Sequence, residues 1–398
     1  MGGRPGYRAD GRRRRLAPVV GTGRNALKSA LTGAGVPVNP RASAAKETDG
    51  NRAGADARAA GSAADDHGTA RRLDTPDTLD MPRLPLVLVA CSGGPDSLAL
   101  AAVTAFFARR GSIAAGAVVV DHGLQPGSAE VAAAATDVLR QLGLDPVDVV
   151  PVTVDDDHLG PEGAAREARY RALDSAAERH QAAAVLLGHT LDDQAESVLL
   201  GLARGSGTRS LAGIPARRGH YLRPFLGLRR ADTEAICDAE GLDPWHDPTN
   251  ADPAFKRSKV RTEVLPFLEE KLGPGIAEAL HRSATILAED AEYLDQRSAE
   301  LYGSLAVVEP ERTLLPKHEL RGQPAAMRHR LLALAAVGLG ADRPSLERIH
   351  AVESLLERRG SAGPVQLAGK VDVHRQVHRQ SVPAQGRGYG SLIFTAKR

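Results

Sequence analysis

Apolar residues along this chain gather into short unbroken runs that alternate with longer Ala- and Leu-rich stretches, starting at Pro85. Leu86-Val87-Leu88-Val89-Ala90-Cys91 has no polar face, which predicts a strand buried on both sides. A Gly/Pro turn follows, and then an Ala/Leu-rich segment to Arg110. The same succession returns along the next hundred residues. Ile113 to Val120, Val147 to Val154 and Ala183 to Leu187 read as strands. Ser128 to Leu142, Pro161 to His180 and Leu191 to Ala203 read as the helices after them, with Pro161 suited to a first helical position. Strands and helices alternating at this spacing specify a parallel sheet with helices on both faces, and such sheets bind ligands at the carboxyl ends of their strands.

After residue 205 the pattern is irregular. A helix is expected from Ala231 to Glu240, then a Pro- and Asp-rich loop from Asp243 to Pro253. From Val260 onward the chain reads as mainly helical, with amphipathic stretches near Ala277 to Leu294, Ala325 to Leu339 and Ser345 to Arg358, and short strand-like pieces in the last residues. The organisation predicted is an extension without structure over 1–80, an α/β domain over 81–262, and a smaller, mainly helical substrate-binding region over 263–398. The extension combines the Arg12 to Arg15 run with Gly/Ala/Asp-rich stretches, and its few large apolar residues do not offset the entropy of ordering. Its Arg-rich, acid-poor beginning also has the look of a transit peptide, and Met81 is an alternative start.

Charge and cysteine content narrow the function classes. The net charge is +2, with the basic excess confined to the first 80 residues. Nucleic-acid binding by the folded body therefore needs a local basic patch. Two cysteines, Cys91 and Cys237, form no CxxC pair, which excludes a disulfide framework and a Cys-rich zinc or iron–sulfur site. No apolar run approaches a membrane span and no signal sequence is present, so the expected location is cytoplasmic and no membrane partner is expected. Oligomeric state is not legible, and a homodimer stays open.

The first chemical motif is Ser92-Gly93-Gly94-Pro95-Asp96-Ser97, directly after the first strand and opening a helix. Two glycines let the backbone approach a polyanion, and the helix aims free N–H groups and its positive end at phosphate. Ser92 and Ser97 can donate to phosphate oxygens, and Asp96 can hold Mg²⁺. The lysine of a Walker A loop is missing. This hexapeptide resembles the PP-loop of N-type ATP pyrophosphatases, which cleave ATP between the α- and β-phosphates and adenylate an oxygen.

The second motif is Gly188-His189-Thr190-Leu191-Asp192-Asp193-Gln194-Ala195-Glu196-Ser197. On a helix His189, Asp192, Asp193 and Glu196 share a face. Three carboxylates there repel one another unless a cation, such as a lysine ammonium or Mg²⁺, sits among them. The stretch is similar to the signature of tRNA(Ile)-lysidine synthetases, with Ser197 in place of the usual Thr. Asp121-His122-Gly123-Leu124 and Glu162 to Tyr170 resemble two further segments of that family. Trp245 to Asn250 followed by Lys256 to Arg261 resembles another, with Thr249 and Ser258 departing from it.

The resemblance covers about residues 85–270. It implies a Rossmann-like PP-loop domain that binds ATP at Ser92 to Ser97 and His122, with Mg²⁺ on Asp96. It implies contacts to lysine and cytidine from Arg166, His189, Asp192, Asp193 and Glu196, with Asp96, Asp193 and Glu196 catalytic. Lys256, Arg257, Lys259 and Arg261 form a basic run suited to tRNA phosphates. The implied activity is adenylation of the wobble cytidine of tRNA(Ile) with a CAU anticodon, followed by joining of L-lysine. A tRNA sulfurtransferase of the same superfamily is the alternative. Such enzymes generally rely on reactive cysteines, whereas Cys91 and Cys237 are placed as packing residues.

Overall fold

The structure, a computed structural model, describes residues 6–7, 17–38, 84–123, 127–153, 160–205, 207–248, 252, 255–357, 364–376 and 390–397. It divides into two units, residues 1–285 and 286–398. In the first, β1 (Leu86–Ala90), β2 (Ala114–Asp121), β3 (Val147–Pro151), β4 (Ala184–Leu187), β5 (Arg217–Arg218) and β6 (Tyr221–Leu222) form a six-stranded sheet of order β3-β2-β1-β4-β6-β5. Neighbours run parallel except β5, which is antiparallel to β6. Its helices are α1 (Pro18–Gly33), α2 (Pro95–Arg109), α3 (Ser128–Gln141), α4 (Gly160–His180), α5 (Leu191–Ala203) and α6 (Arg230–Glu240).

The two-sided burial expected of the apolar runs is visible residue by residue. Side chains alternate across a strand, so Val87 and Val89 enter one apolar cluster and Leu88 enters another. Ala117 and Val119 of β2 and Leu186 of β4 join the first cluster, under Leu98 of α2, Leu139 of α3 and Ile236 of α6. Val118, Val185 and Leu187 join the second, under Tyr170 and Leu173 of α4. Sheet order turns back at β1, with β2 on one side and β4 on the other. A crevice at such a reversal, outside the strands' carboxyl ends, is where this architecture binds ligands.

The expectation of no structure over 1–80 fails for Pro18–Gly33. This segment is a helix with Pro18 in its first turn, and its Val20, Leu27 and Leu31 are buried in the first cluster. Gly23 lets it approach closely: a Cβ there would lie 3.0 Å from Ile236 and 3.3 Å from Val103. Arg24 stacks on Phe106 and pairs with Glu240 at 3.3 Å. Gly6–Tyr7 pairs with Leu242–Asp243. The stretch from Gly54 to Ala64 and the alternative start Met81 lie outside the described residues. Leu27→Ala is expected to cost roughly 2–5 kcal/mol, as deletion of a fully buried leucine does. Chemical denaturation measures this, and a loss below about 1 kcal/mol would show that α1 is dispensable to the core.

The division between units falls within a long helix. After α7 (Leu265–Leu272), α8 runs from Ile276 to Leu305 and spans the boundary. The second unit holds β7 (Val307–Glu309), β8 (Arg312–Pro316), α9 (Ala325–Val337), α10 (Leu346–Glu357), β9 (Val365–Leu367), β10 (Val371–Gln376) and β11 (Ser391–Ala396). Its strands make an antiparallel sheet of order β9-β10-β11-β8-β7. Leu331, Val352, Leu355, Val373 and Phe394 pack its core. The helices expected there are present, and beside them stands a sheet that the short strand-like pieces only hinted at. Among the described residues no helix is long and apolar enough to cross a membrane.

Candidate active site

Ser92, Gly93 and Gly94 carry the chain from β1 into α2. Gly93 sits at φ +82°, a conformation that glycine adopts without strain. Ser97 Oγ donates to Gly94 O at 3.0 Å and accepts from Ser92 N at 3.2 Å, so the loop is braced from inside. Pro95 starts α2 and Asp96 lies in its first turn, where the unpaired N–H groups point outward. The Trp245 N–H donates to Gly93 O at 2.9 Å, which lays the Trp245 segment against the loop. Cys91 and Cys237 are buried beside it, their thiols donating to Ser97 Oγ and Pro95 O. Burial pushes both thiols up, and neutral, enclosed sulfur is unsuited to nucleophilic sulfur transfer.

The second motif ends the adjacent strand β4. Thr190 caps α5: Asp193 Oδ2 accepts from the Thr190 N–H at 2.8 Å and the Asp193 N–H donates to Thr190 Oγ1. A Cβ on Gly188 would lie 3.0 Å from the backbone of Asp96, so only glycine lets β4 pass this close to the PP-loop. Gly188→Ala is therefore expected to shift the loop and lower kcat/KM for ATP by roughly 100-fold. Steady-state kinetics with varied ATP test this; an unchanged value would show that the loop tolerates the displacement.

Between the motifs lies a network of opposite charges. Glu196 is fully buried, and Arg257 Nε donates to its Oε2 at 2.9 Å while Arg261 Nε donates to its Oε1 at 2.7 Å. Arg230 Nη2 lies 3.5 Å from Asp193 Oδ1 and 3.8 Å from Glu196, and its Nε lies 3.7 Å from Asp96 Oδ2. Asp192 accepts from the Arg230 N–H at 2.7 Å and pairs with Arg229. The sequence pattern calls for a ligand ammonium or a metal among the carboxylates. In this structure guanidiniums fill that role, and Arg257 and Arg261 turn inward instead of facing solvent. Of the basic run, Lys256 and Lys259 stay exposed. Arg261 reaches Glu196 from a π-helical turn, Val260–Val264, whose Leu265 N–H reaches back to Val260 O; Pro266, next along, has no N–H.

Electrostatics follow from this enclosure. Burial works to raise the Asp193 carboxyl, but Arg257, the Thr190 N–H and Arg230 outweigh it and hold the group below its usual range. Asp96 is pushed up to about 6, chiefly by burial, although Thr233 Oγ1 donates to its Oδ1 at 2.5 Å. His189 is pushed down to about 3 by burial and by Arg223, Arg169 and Arg257, and His122 is lowered by burial and by Arg169. Both rings are neutral, and among the described residues the Nδ1 of each is buried without a partner. Arg166 lies exposed on α4, 5.2 Å from the Tyr170 ring centroid. Leu124, Thr249 and Asn250 lie outside the described residues, as does the side chain of Glu162.

Sequence reasoning missed Arg230, which links the two motifs, and Thr233, which orients Asp96. It also missed Gln194, whose amide holds the 212–214 loop through Ala212 O and the Ile214 N–H. Arg230 belongs to no motif read in the sequence. Gln194 stands inside the second motif, and its near-complete burial is the signal that gives it a structural role.

Residues 72–268 match the family model of the PP-loop domain. A tRNA(Ile)-lysidine synthase from Thermobifida fusca (strain YX) is 52% identical over 292 residues, covering 73% of this chain and 89% of that protein. This chain belongs to the tRNA(Ile)-lysidine synthase family. The counterpart from Leifsonia xyli subsp. xyli is 53% identical over 297 residues, covering 73% of this chain and 87% of its own length. A solved U34-tRNA thiolase from Methanococcus maripaludis aligns at TM-score 0.43 and 19% identity, over 52% of this chain and 73% of that one. Both lysidine-synthase motifs, the PP-loop and the stretch from His189 to Ser197, thus stand side by side at the ends of neighbouring strands.

Proposed function

We propose that this chain is a ligase that adenylates C2 of the wobble cytidine of tRNA(Ile), anticodon CAU, and joins L-lysine to that carbon. The product, lysidine, reads AUA in place of AUG. The observation that carries the proposal is that an anion cradle and an acidic helix start lie together, with Arg230 3.7 Å from Asp96 of the one and 3.5 Å from Asp193 of the other. In the first step the cytidine O2 attacks the α-phosphorus of ATP and pyrophosphate leaves. In the second the lysine amine, its ammonium proton given up to water, attacks C2, AMP departs with the C–O bonding pair, and the new C–N nitrogen releases its extra proton to water.

Ser92 to Ser97 would hold the ATP phosphates through backbone N–H groups and hydroxyls. Mg²⁺ suits the donor chemistry of Asp96: one hard carboxylate oxygen beside phosphates is a usual magnesium set, and Oδ2 is the oxygen not taken by Thr233. When bound, the ion would draw negative charge off the phosphates. Arg230 is placed to do the same from the protein side. Asp193 Oδ1, 3.5 Å from both Arg230 and Arg261, would be the oxygen that receives an ammonium. Its negative charge would orient the amine. Asp192 would support this through its hold on Arg229 and Arg230. Glu196, saturated by arginines, holds Arg257 and Arg261 in position. His122 and His189 would offer neutral Nδ1 atoms, unpaired among the described residues, to the nucleoside or nucleotide.

Incubation with ATP, Mg²⁺, labelled lysine and an unmodified tRNA(Ile) transcript bearing CAU tests the activity. ATP-dependent label in the RNA is expected. Label that appears without ATP, or none at all, would refute it.

A further inference from the structure

The reaction just described leaves one part of the first unit without a use. A cleft of about 440 Å³ is lined by Arg166, Arg204, Arg218, Arg223, Lys256 and Arg257, with no carboxylate in its wall among the described residues. Arg257 is balanced by Glu196. The other cations are supported differently. Arg218 lies 4.8 Å and Arg166 5.2 Å from the Tyr170 ring centroid, and Arg223 Nη2 donates to the Tyr170 hydroxyl at 3.2 Å. An aromatic face attracts a cation without cancelling its charge, so this ring gathers guanidiniums that stay positive. Arg223 is only 4% exposed, and among the described residues its Nε is buried without a partner. Burial, with Arg218 and Arg166 nearby, holds its guanidinium below the usual value even though Tyr170 opposes the shift. Like charges gathered in a partly buried wall are unfavourable until an anion completes them.

We propose that this cleft seats a backbone phosphate of the RNA next to the reacting nucleotide, with Arg204, Arg218 and Arg223 as its ligands and Tyr170 as the post that gathers Arg218 and Arg223. The identity of the RNA rests on the lysidine-synthase reading. Contacts run from Asp96 through Arg230 to Asp193 and Glu196, then through Arg257 to the cleft. ATP phosphates belong at the Asp96 end, so the anion at the far end is a different one. Several cations spread along an open wall exceed what one amino-acid carboxylate needs, and they match the repeated charge of a nucleic-acid strand. Outside its first 80 residues the chain has no basic excess, so a local patch of this kind is what can hold RNA.

Arg204→Gln, Arg218→Gln and the double variant test this; both side chains are exposed, so the fold should persist, with the thermal midpoint as control. Filter binding of the unmodified tRNA(Ile) transcript, without ATP or lysine, is measured across a potassium chloride series. The double variant is expected to bind roughly tenfold more weakly at physiological salt. Its slope of log affinity against log salt should fall by roughly 0.7 for each phosphate that is no longer neutralised. Unchanged affinity and slope would overturn the proposal. So would a raised KM for lysine with RNA binding intact, since the cleft would then hold the amino-acid carboxylate. RNA binding is read apart from catalysis, so a chain that fails to form lysidine refutes the proposed function without deciding this point.

Discussion

Glu196→Gln should destabilise the first unit by roughly 3 kcal/mol, because it leaves partly buried guanidiniums without their counter-charge. Glu196 is fully buried, and Arg257, Arg261 and Arg230 all lie within 4 Å of it. Removing one member of such a network costs more than the network contributes when intact, since the remaining charges stay desolvated. Asp192→Asn is the comparison: Asp192 is less enclosed and its partners reach water, so a loss below about 1 kcal/mol is expected there. Thermal and urea unfolding of both variants measure the difference. If Glu196→Gln unfolds like the unsubstituted chain while its KM for lysine rises, Glu196 touches the substrate and its positioning role is wrong.

Asp193→Asn should reduce lysine transfer by roughly 100- to 1000-fold, as loss of an enclosed charged contact to a reacting group does. KM for ATP should stay within a few-fold. Asparagine keeps an oxygen to accept the Thr190 N–H, so the start of α5 is retained and the loss is assigned to charge. The readout is the rate of lysine incorporation beside the rate of pyrophosphate release. Equal loss of both would remove Asp193 from the second step.

Much of this was legible in the chain itself, for definite reasons. The run from Leu86 to Cys91 has no polar face because both sides of β1 are covered, and the Ser92 to Ser97 turn sits where a parallel sheet presents its ligands. α1 was hidden because its apolar stripe of Val20, Leu27 and Leu31 is thinned by glycines and set in an Arg- and Gly-rich stretch. Its burial comes from partners on α2 and α6 far along the chain. The inward turn of Arg257 and Arg261 was illegible for a similar reason. Four cations in six residues look like a solvated patch until Glu196, 61 residues earlier, is folded against them. Arg230 and the Tyr170-centred cleft are likewise products of tertiary packing, with no local pattern to announce them.

The two-step use of one crevice is tested most directly by withholding lysine. With ATP labelled at the α-phosphate and the CAU transcript, label should accumulate on the RNA in proportion to enzyme, with release of one pyrophosphate per label. Lysine added afterwards should chase that label to free AMP as lysidine forms. Label bound to the protein, or label on RNA that lysine does not displace, would contradict a single crevice working in sequence.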